Sequence, residues 1–167
     1  MNKDPHNFPT LVHAVQFRAV ASPQKVSCTF VNRDMEDKMT YAMLDECARA
    51  IAAQLQKQGA KPGDRVLLLF SPGLPLIQAF FGCLYAGCIA VPIYPPAQVK
   101  LVDKAHRIIH NAKPVCAIMT ADHLTRFAQI DSQGNGHLDY VPCLAIDTIE
   151  LQMSSLWQQP FICCGAK

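Results

Sequence analysis

Val66-Leu67-Leu68-Leu69-Phe70 is a continuous apolar run, and the breakers Ser71-Pro72-Gly73 follow it directly. Because such a run has no polar face to turn toward water, it is typical of a strand that is covered on both sides, as in a parallel sheet. The next segment, Leu74 to Ala86, is predicted to be a very apolar helix, and Cys88 to Val91 a second buried strand closed by Pro92. A strand, a helix and a strand in this order predict a parallel, right-handed β-α-β unit.

The same alternation continues downstream of this unit. The pattern predicts a helix over Lys100 to Ala112, a strand over Val115 to Met119, a short helix over Asp122 to Ala128 and a strand over Val141 to Ile146. Between the last two, Asp131 to His137 is predicted to be a polar loop, and the tail from Asp147 has no clear pattern. The strands near 66–70, 88–91 and 115–119 are therefore expected to be parallel neighbours in one sheet.

Upstream of the unit, the pattern predicts a helix, two short strands and a second helix. Phe8 to Ala21 carries apolar residues near helical spacing, and Val26 to Val31 is rich in β-branched and aromatic residues. The polar stretch Asn32 to Lys38 predicts a turn into a second strand. Thr40 is a good N-cap for a helix from Tyr41 to about Gln58, and Gly59 suits its carboxyl end.

The composition fits one α/β domain or part of a larger one. Of the 167 residues, 50% are hydrophobic and 17% are charged, which argues against a disordered chain. The formal net charge is +2 and the basic residues are scattered. Since no block of like charges occurs, no nucleic-acid partner is expected.

The apolar stretch from Leu74 to Tyr94 is long enough by itself to span a bilayer, and only Gln78 in it is distinctly polar. Two prolines and two glycines divide it, and no cluster of Lys or Arg flanks it. We therefore predict a buried helix followed by a buried strand, and no transmembrane segment.

Eight cysteines stand at positions 28, 47, 83, 88, 116, 143, 163 and 164. An even count is compatible with a disulfide framework, but most of these residues lie in apolar runs, where free thiols behave as small hydrophobes. The polar start, Met1 to His6, has no apolar region of the kind that a secretory signal needs. Free thiols and a cytoplasmic location are therefore predicted.

No motif in the sequence assigns a catalytic or metal-binding role by itself. His106 and His110 share a predicted helix face but have no third ligand, so no metal site is expected. The stretch Asp131 to Gly136 resembles the start of a calcium loop, yet the twelfth position is Pro142 instead of glutamate. Neither a Gly-x-Gly-x-x-Gly or Walker loop nor a Gly-x-Ser-x-Gly elbow is present.

Four segments, in a fixed order, resemble the amino-terminal region of acyl-adenylate-forming enzymes. They are Met39-Thr40-Tyr41-Ala42-Met43-Leu44-Asp45, Gly59 to Val66, Ala79 to Gly87, and Ala90 to Pro96. The resemblance is clearest over residues 8–120. Within this superfamily the strand-end variant Val91-Pro92-Ile93-Tyr94-Pro95-Pro96 is most similar to the fatty acyl-AMP ligases.

This resemblance implies an α/β fold with a parallel sheet and flanking helices, forming part of the N-terminal domain of the adenylate-forming fold. Residues 1–167 would be an incomplete amino-terminal portion of an AMP-binding domain, and residues 163–167 an aberrant tail. The parent would activate a fatty acid with ATP and Mg²⁺ to an acyl-adenylate and pass the acyl group to an acyl carrier protein. The family's phosphate loop and catalytic lysine have no match here, so this chain alone is expected to be inactive and to bind neither ATP nor Mg²⁺.

The candidate site residues are Gly87, Pro92, Tyr94 and Pro95. Pro92 and the Pro95-Pro96 pair favour an extended exit from the carboxyl end of a strand, which is the edge where open α/β sheets bind ligands. A purely structural role for these turns is the competing interpretation. No residue is assigned a catalytic, cofactor-binding or metal-binding role. An acyl-CoA synthetase and a non-catalytic α/β binding module stay open as alternative parents.

Overall fold

The computed structural model describes residues 8–33, 35–95, 107–133 and 141–160, with backbone alone at 127, 128 and 130–133. Along the chain the first elements are α1 (Leu11–Ala21), β1 (Val26–Asn32), β2 (Met35–Thr40), α2 (Tyr41–Lys57) and β3 (Arg65–Leu69). They are followed by α3 (Leu74–Tyr85), β4 (Ile89–Ile93), the helical residues 107–112, which we call α4, β5 (Cys116–Met119) and α5 (Ala121–Gln133). The last elements are β6 (Cys143–Ala145) and two 3-10 helices, Ile146–Thr148 and Leu151–Leu156.

Four strands form the predicted parallel sheet, in the order β4-β3-β5-β6. β3 pairs in parallel with both β4 and β5, so that Leu67 lies opposite Val91 on one side and Ala117 on the other. β5 pairs in parallel with β6. The predicted arrangement of three neighbouring parallel strands is confirmed, and the fold class with it.

Both faces of β3 are covered, as its continuous apolar run predicts. Val66, Leu68 and Phe70 belong to a core cluster with residues of α2 and α3. Leu67 and Leu69 belong to a second cluster on the opposite face, with Ile109 of α4 packed there as well. All five residues of this run are at most 3% exposed, and this explains why the strand carries no polar residue between Val66 and Phe70.

Side-chain caps set the start of the first two helices: α2 begins at Tyr41 as predicted, and α1 begins at Leu11, three residues after the predicted Phe8. The Thr10 side chain accepts a hydrogen bond from the His13 backbone N–H and caps α1. Thr40 caps α2 in the same way, through a 3.3 Å hydrogen bond from the Met43 backbone N–H. Between these helices, β1 and β2 form an antiparallel pair, and β2 begins at Met35, inside the predicted turn of Asn32 to Lys38.

Two elements, β4 and α5, extend beyond their predicted bounds. β4 continues to Ile93, so Pro92 lies inside the strand and does not close it. β4 is one of the two outer strands of this four-stranded sheet, which is the position where a strand tolerates proline. α5 continues to Gln133, so that Asp131 is helical instead of looped. The rest of the calcium-like stretch, residues 134–136, lies outside the described residues, as do His106 and the predicted helical residues 100–106.

The tail, for which the sequence shows no pattern, folds onto the helical layer. The 3-10 helix Leu151–Leu156 packs against α2, and the Trp157 indole stacks on the Tyr85 ring with 5.3 Å between centroids. The Gln56 side chain reaches Gln158 twice, donating to its carbonyl at 2.6 Å and accepting from its N–H at 3.2 Å. The order of this segment therefore comes from contacts with α2 and α3.

The long apolar stretch is divided as predicted. α3 ends at Tyr85, and Gly87, with φ of 74°, turns the chain into β4. Across the ranges that the structure describes, no helix is both long and apolar enough to cross a membrane.

Candidate functional site

The candidate site is the carboxyl edge of the parallel sheet, where β3, β4, β5 and β6 end side by side. Ser71, Tyr94 and Thr120 follow β3, β4 and β5, and Asp147 lies two residues beyond β6. The Tyr94 side chain is 73% exposed. In open α/β sheets this edge is the usual place for a ligand, since the loops there can vary without disturbing the core.

The structure brings three of the four predicted site residues to this edge. Pro92, Tyr94 and Pro95 lie in the last part of β4 or directly after it. Their role in ligand binding stays a prediction. Pro96, the next residue of the motif, lies outside the described ranges.

The fourth predicted site residue, Gly87, does not lie at this edge. It precedes β4 and therefore lies at the opposite edge of the sheet, where the strands begin. Six residues of extended chain separate it from Ile93, which corresponds to roughly 20 Å. Its φ of 74° favours glycine, and a Cβ there would lie 3.2 Å from side-chain atoms of both Pro62 and Pro160. Gly87 therefore serves a turn and a close approach, and the crevice does not include it.

Two polar residues that the sequence analysis missed cap α5 at the carboxyl edge. Both carboxylate oxygens of Asp147 accept from the Ala121 backbone N–H, at 2.9 and 3.1 Å. The Thr120 hydroxyl accepts from the His123 backbone N–H at 3.3 Å. A helix N-terminus attracts anions, and here the carboxylate of Asp147 already takes that position. The start of α5 is thus occupied by the protein's own carboxylate.

The turn after β3 offers no phosphate cradle. Gly73 precedes α3 and provides no side-chain cap, and the proline in the first turn of the helix removes one backbone donor. In the part of the chain that the structure describes, no group of three His, Cys, Asp or Glu side chains could hold a metal ion. Among the described residues of this edge, the turn before α3 and the side chains nearby form neither a phosphate cradle nor a metal-ligand cluster.

A second polar cluster lies away from the sheet edge and joins α2, α3 and the tail. The Tyr85 hydroxyl donates to Asp45 Oδ1 at 2.7 Å, and Arg49 Nε lies 2.8 Å from Asp45 Oδ2. The Trp157 Nε1–H donates to the Tyr85 carbonyl at 2.9 Å, and the Arg49 guanidinium lies over the Trp157 ring at 5.2 Å. Burial, and then the hydrogen bond to Asp45, raise the pKa of Tyr85 well above its usual range. Tyr85 is thus a neutral donor in a structural clamp.

No disulfide joins any two of the six cysteines within the described ranges, and Cys163 and Cys164 lie outside them. Burial raises the pKa of Cys116 to about 12, with a smaller effect from Cys143 and Cys88. Burial and then Asp64 raise the pKa of Cys88 to about 11, and burial also raises the pKa of Cys83. These thiols resist ionisation, which is the opposite of what a nucleophilic cysteine needs.

We expect Cys116 to react with iodoacetamide at pH 8 at least about 50-fold more slowly than the half-buried Cys28. A higher pKa lowers the thiolate fraction, and the greater nucleophilicity of the remaining thiolate offsets only part of that loss. Mass-spectrometric mapping of alkylated peptides over time measures both rates, and the urea-unfolded chain, where the two should react alike, is the control. Equal rates in the folded chain would contradict the burial of Cys116.

The raised thiol pKa values also set the sign of a pH effect on stability. At pH values below the ordinary thiol pKa, 9.0, these buried thiols make their full contribution to the free energy of unfolding. It falls as the pH rises from there toward about 12, because only the unfolded chain ionises freely in that window.

The chain matches a family model and several characterised proteins. The model of the AMP-binding enzymes matches residues 15–158. The medium-chain-fatty-acid acyl-carrier-protein ligase JamA of Moorena producens is 31% identical over 160 residues, which are 93% of this chain and 27% of that protein. Human Disco-interacting protein 2 homolog B is 38% identical over 127 residues, 72% of this chain and 8% of that protein.

Solved structures agree with these matches. The fatty acyl-adenylate ligase of Legionella pneumophila, solved with acyl adenylate and pyrophosphate, is 57% identical and superposes with a TM-score of 0.86 over 97% of this chain. The chain spans 27% of that structure's length. A fatty acyl CoA synthetase of Mycobacterium tuberculosis superposes with a TM-score of 0.63 at 22% identity, and this likeness concerns the fold alone.

Proposed function

Because this chain belongs to the AMP-binding enzyme family, we propose that it is the amino-terminal part of a fatty acyl-AMP ligase. The observation that carries the proposal is the 57% identity and the TM-score of 0.86 to the Legionella fatty acyl-adenylate ligase. The fatty acyl CoA synthetase of Mycobacterium tuberculosis shares only 22% identity with this chain. The subgroup assignment therefore rests on sequence identity, and the fold supports the wider family.

In the proposed parent, a fatty acid is joined to AMP with release of pyrophosphate, and the acyl group then passes to an acyl carrier protein. The likeness to the Moorena acyl-carrier-protein ligase supports the second step. The part of the chain in hand would supply the parallel sheet and one wall of its edge, with Tyr94 and Pro95 following β4. The segments that bind ATP and Mg²⁺ would come from the remainder of the parent. We keep a cytoplasmic location as part of the same proposal.

A non-catalytic binding module is the second candidate. Human Disco-interacting protein 2 homolog B, named for an interaction, shares 38% identity with this chain, more than the Moorena ligase does. The two candidates differ in one respect that can be measured: only a ligase segment must support acid-dependent chemistry when joined to the remaining parts of a ligase.

A chimera tests the proposal. This chain would replace the matching segment of the Legionella ligase, and fatty-acid-dependent exchange of labelled pyrophosphate into ATP would be measured. We expect the chimera to retain exchange within about tenfold of the parent enzyme, and the 167-residue chain alone to show none above a no-enzyme control. The matched control is a chimera with the corresponding segment of the Mycobacterium acyl-CoA synthetase, which is expected to be inactive.

Loss of exchange in a folded, monodisperse chimera would refute the ligase assignment and favour the binding module. Exchange of pyrophosphate into ATP by the isolated chain would mean that its own residues suffice to bind the nucleotide. Because the acyl-CoA synthetase segment is expected to be inactive in the same position, exchange by the chimera with this chain also favours the ligase over the acyl-CoA synthetase.

A further inference from the structure

An apolar pocket of about 380 Å³ lies between α1, β1, α2 and α3, away from the sheet edge. Its volume falls in the range of small-molecule sites in proteins. The walls are mostly aliphatic and aromatic, and the lining includes Leu11, Val15, Cys28, Leu44 and Phe81. None of its lining residues follows a strand of the parallel sheet, so this pocket is separate from the candidate site described above.

Two polar residues line the same pocket, and their side chains have no partner among the described residues. Arg18 is half-buried, and within the described ranges it forms no ion pair. Tyr41 is also half-buried, and its hydroxyl has no hydrogen-bond partner among those residues. The described residues that line the pocket include no carboxylate. A half-buried arginine in a mostly apolar pocket keeps part of its desolvation cost uncompensated until an anion pairs with it.

We propose that this pocket binds an aliphatic carboxylate, a fatty acid of medium length, with its carboxylate at Arg18 and Tyr41. Arginine presents a planar fork that matches a carboxylate, and a phenolic hydroxyl can donate to the same group. The aliphatic tail lies against Leu11, Val15 and Phe81, where it removes apolar surface from water. A neutral hydrocarbon leaves Arg18 unpaired, and a cationic amphiphile is repelled by it.

This inference stands on the pocket and not on the proposed ligase activity, since binding needs neither ATP nor catalysis. The two can therefore fail independently. A fatty acid bound here is held for a purpose other than adenylation, because the pocket contains no group that could position a nucleotide.

Decanoate is the probe, titrated below its micellar concentration into the ¹⁵N-labelled 167-residue chain. We expect saturable one-to-one binding with a Kd of roughly 0.1–1 mM, as suits about a dozen heavy atoms. Amide shifts should be largest along α1 and near Tyr41 and Phe81. Arg18→Gln is expected to weaken binding about fivefold, and Ala14→Phe, which fills the pocket from its α1 wall, to abolish it.

Arg107→Gln is the matched control, because Arg107 is an exposed arginine on α4, across the sheet, and its removal should leave the Kd unchanged. Decyltrimethylammonium, with the same tail length and the opposite charge, should bind at least about fivefold more weakly than decanoate. Equal binding of the two amphiphiles, binding unaffected by Arg18→Gln, or shifts confined to other surfaces would each overturn the proposal. Circular dichroism of every variant separates lost binding from lost folding.

Discussion

Replacing Gly82 with valine is expected to lower the free energy of unfolding by about 3 kcal/mol or more. A Cβ at this position would lie 2.4 Å from Cγ2 and 2.7 Å from Cβ of Ile51, which is far inside van der Waals contact. Ile51 is 3% exposed and lies on α2, whereas Gly82 lies on α3. The two helices therefore cannot move apart without opening the core between them. The close approach of α2 and α3 therefore requires glycine here.

Gly82→Ala tests the same contact with a smaller change, and two effects of opposite sign compete. Alanine gains about 1 kcal/mol of helix propensity over glycine, whereas overpacking costs about 1–3 kcal/mol. Since the overlap involves a branched, buried side chain next to backbone, we expect the overpacking to prevail. Urea unfolding followed by circular dichroism measures the difference.

Gly73→Ala is the control for this series, because its Cβ would meet only Pro75 Cδ, at an ordinary 3.4 Å. Its backbone, with φ of 162°, is extended and accepts alanine. A change within about 1 kcal/mol is expected there. If the two alanine substitutions had equal effects, the Gly82–Ile51 contact would not limit the approach of the helices.

Removing the carboxylate of Asp45 has the second large expected effect, about 2–4 kcal/mol for Asp45→Ala. The substitution leaves the Tyr85 hydroxyl without its acceptor and Arg49 without its counter-charge. The Asp45 side chain is only 13% exposed, so water cannot replace it fully, while the 35% exposure of Arg49 reduces the cost on that side. Thermal or urea unfolding provides the measurement.

The chain contains a matched control for this effect. Asp122 and Arg126 form the same type of pair, four residues apart on a helix, at 3.2 Å, but both side chains are at least 65% exposed. Asp122→Ala is expected to cost less than about 0.5 kcal/mol. If the two substitutions lowered the free energy of unfolding equally, burial and the hydrogen bond to Tyr85 would add nothing to the Asp45–Arg49 pair. The cluster around Tyr85 would then not stabilise the fold.

This clamp connects the helical layer to the tail and, through it, to the start of β4. Tyr85 ends α3, its carbonyl accepts from Trp157, and Pro160 lies beside Gly87. Weakening the clamp should therefore loosen the turn into β4, whose far end carries the candidate site residues Tyr94 and Pro95.

The sequence by itself determined the strands, the helices and the family of this protein. A continuous apolar run predicts a strand covered on both faces, and Thr40 predicts the start of α2, since both signals are read within a few neighbouring residues. The ordered segments from Met39 to Pro96 pointed to acyl-adenylate-forming enzymes. The parallel pairing of β3 with β4 and β5 followed from the alternation of strands and helices.

Only the tertiary structure decided which residues share an edge, a clamp or a pocket. Asp147 caps a helix 26 residues earlier in the chain, and Trp157 binds a carbonyl 72 residues away. Gly87 looked like part of the strand-end motif, yet the direction of β4 places it at the other edge. Arg18 and Tyr41 belong to different helices and line one pocket. Periodicity and capping act over about four residues, so contacts between distant segments leave no local pattern from which they could be predicted.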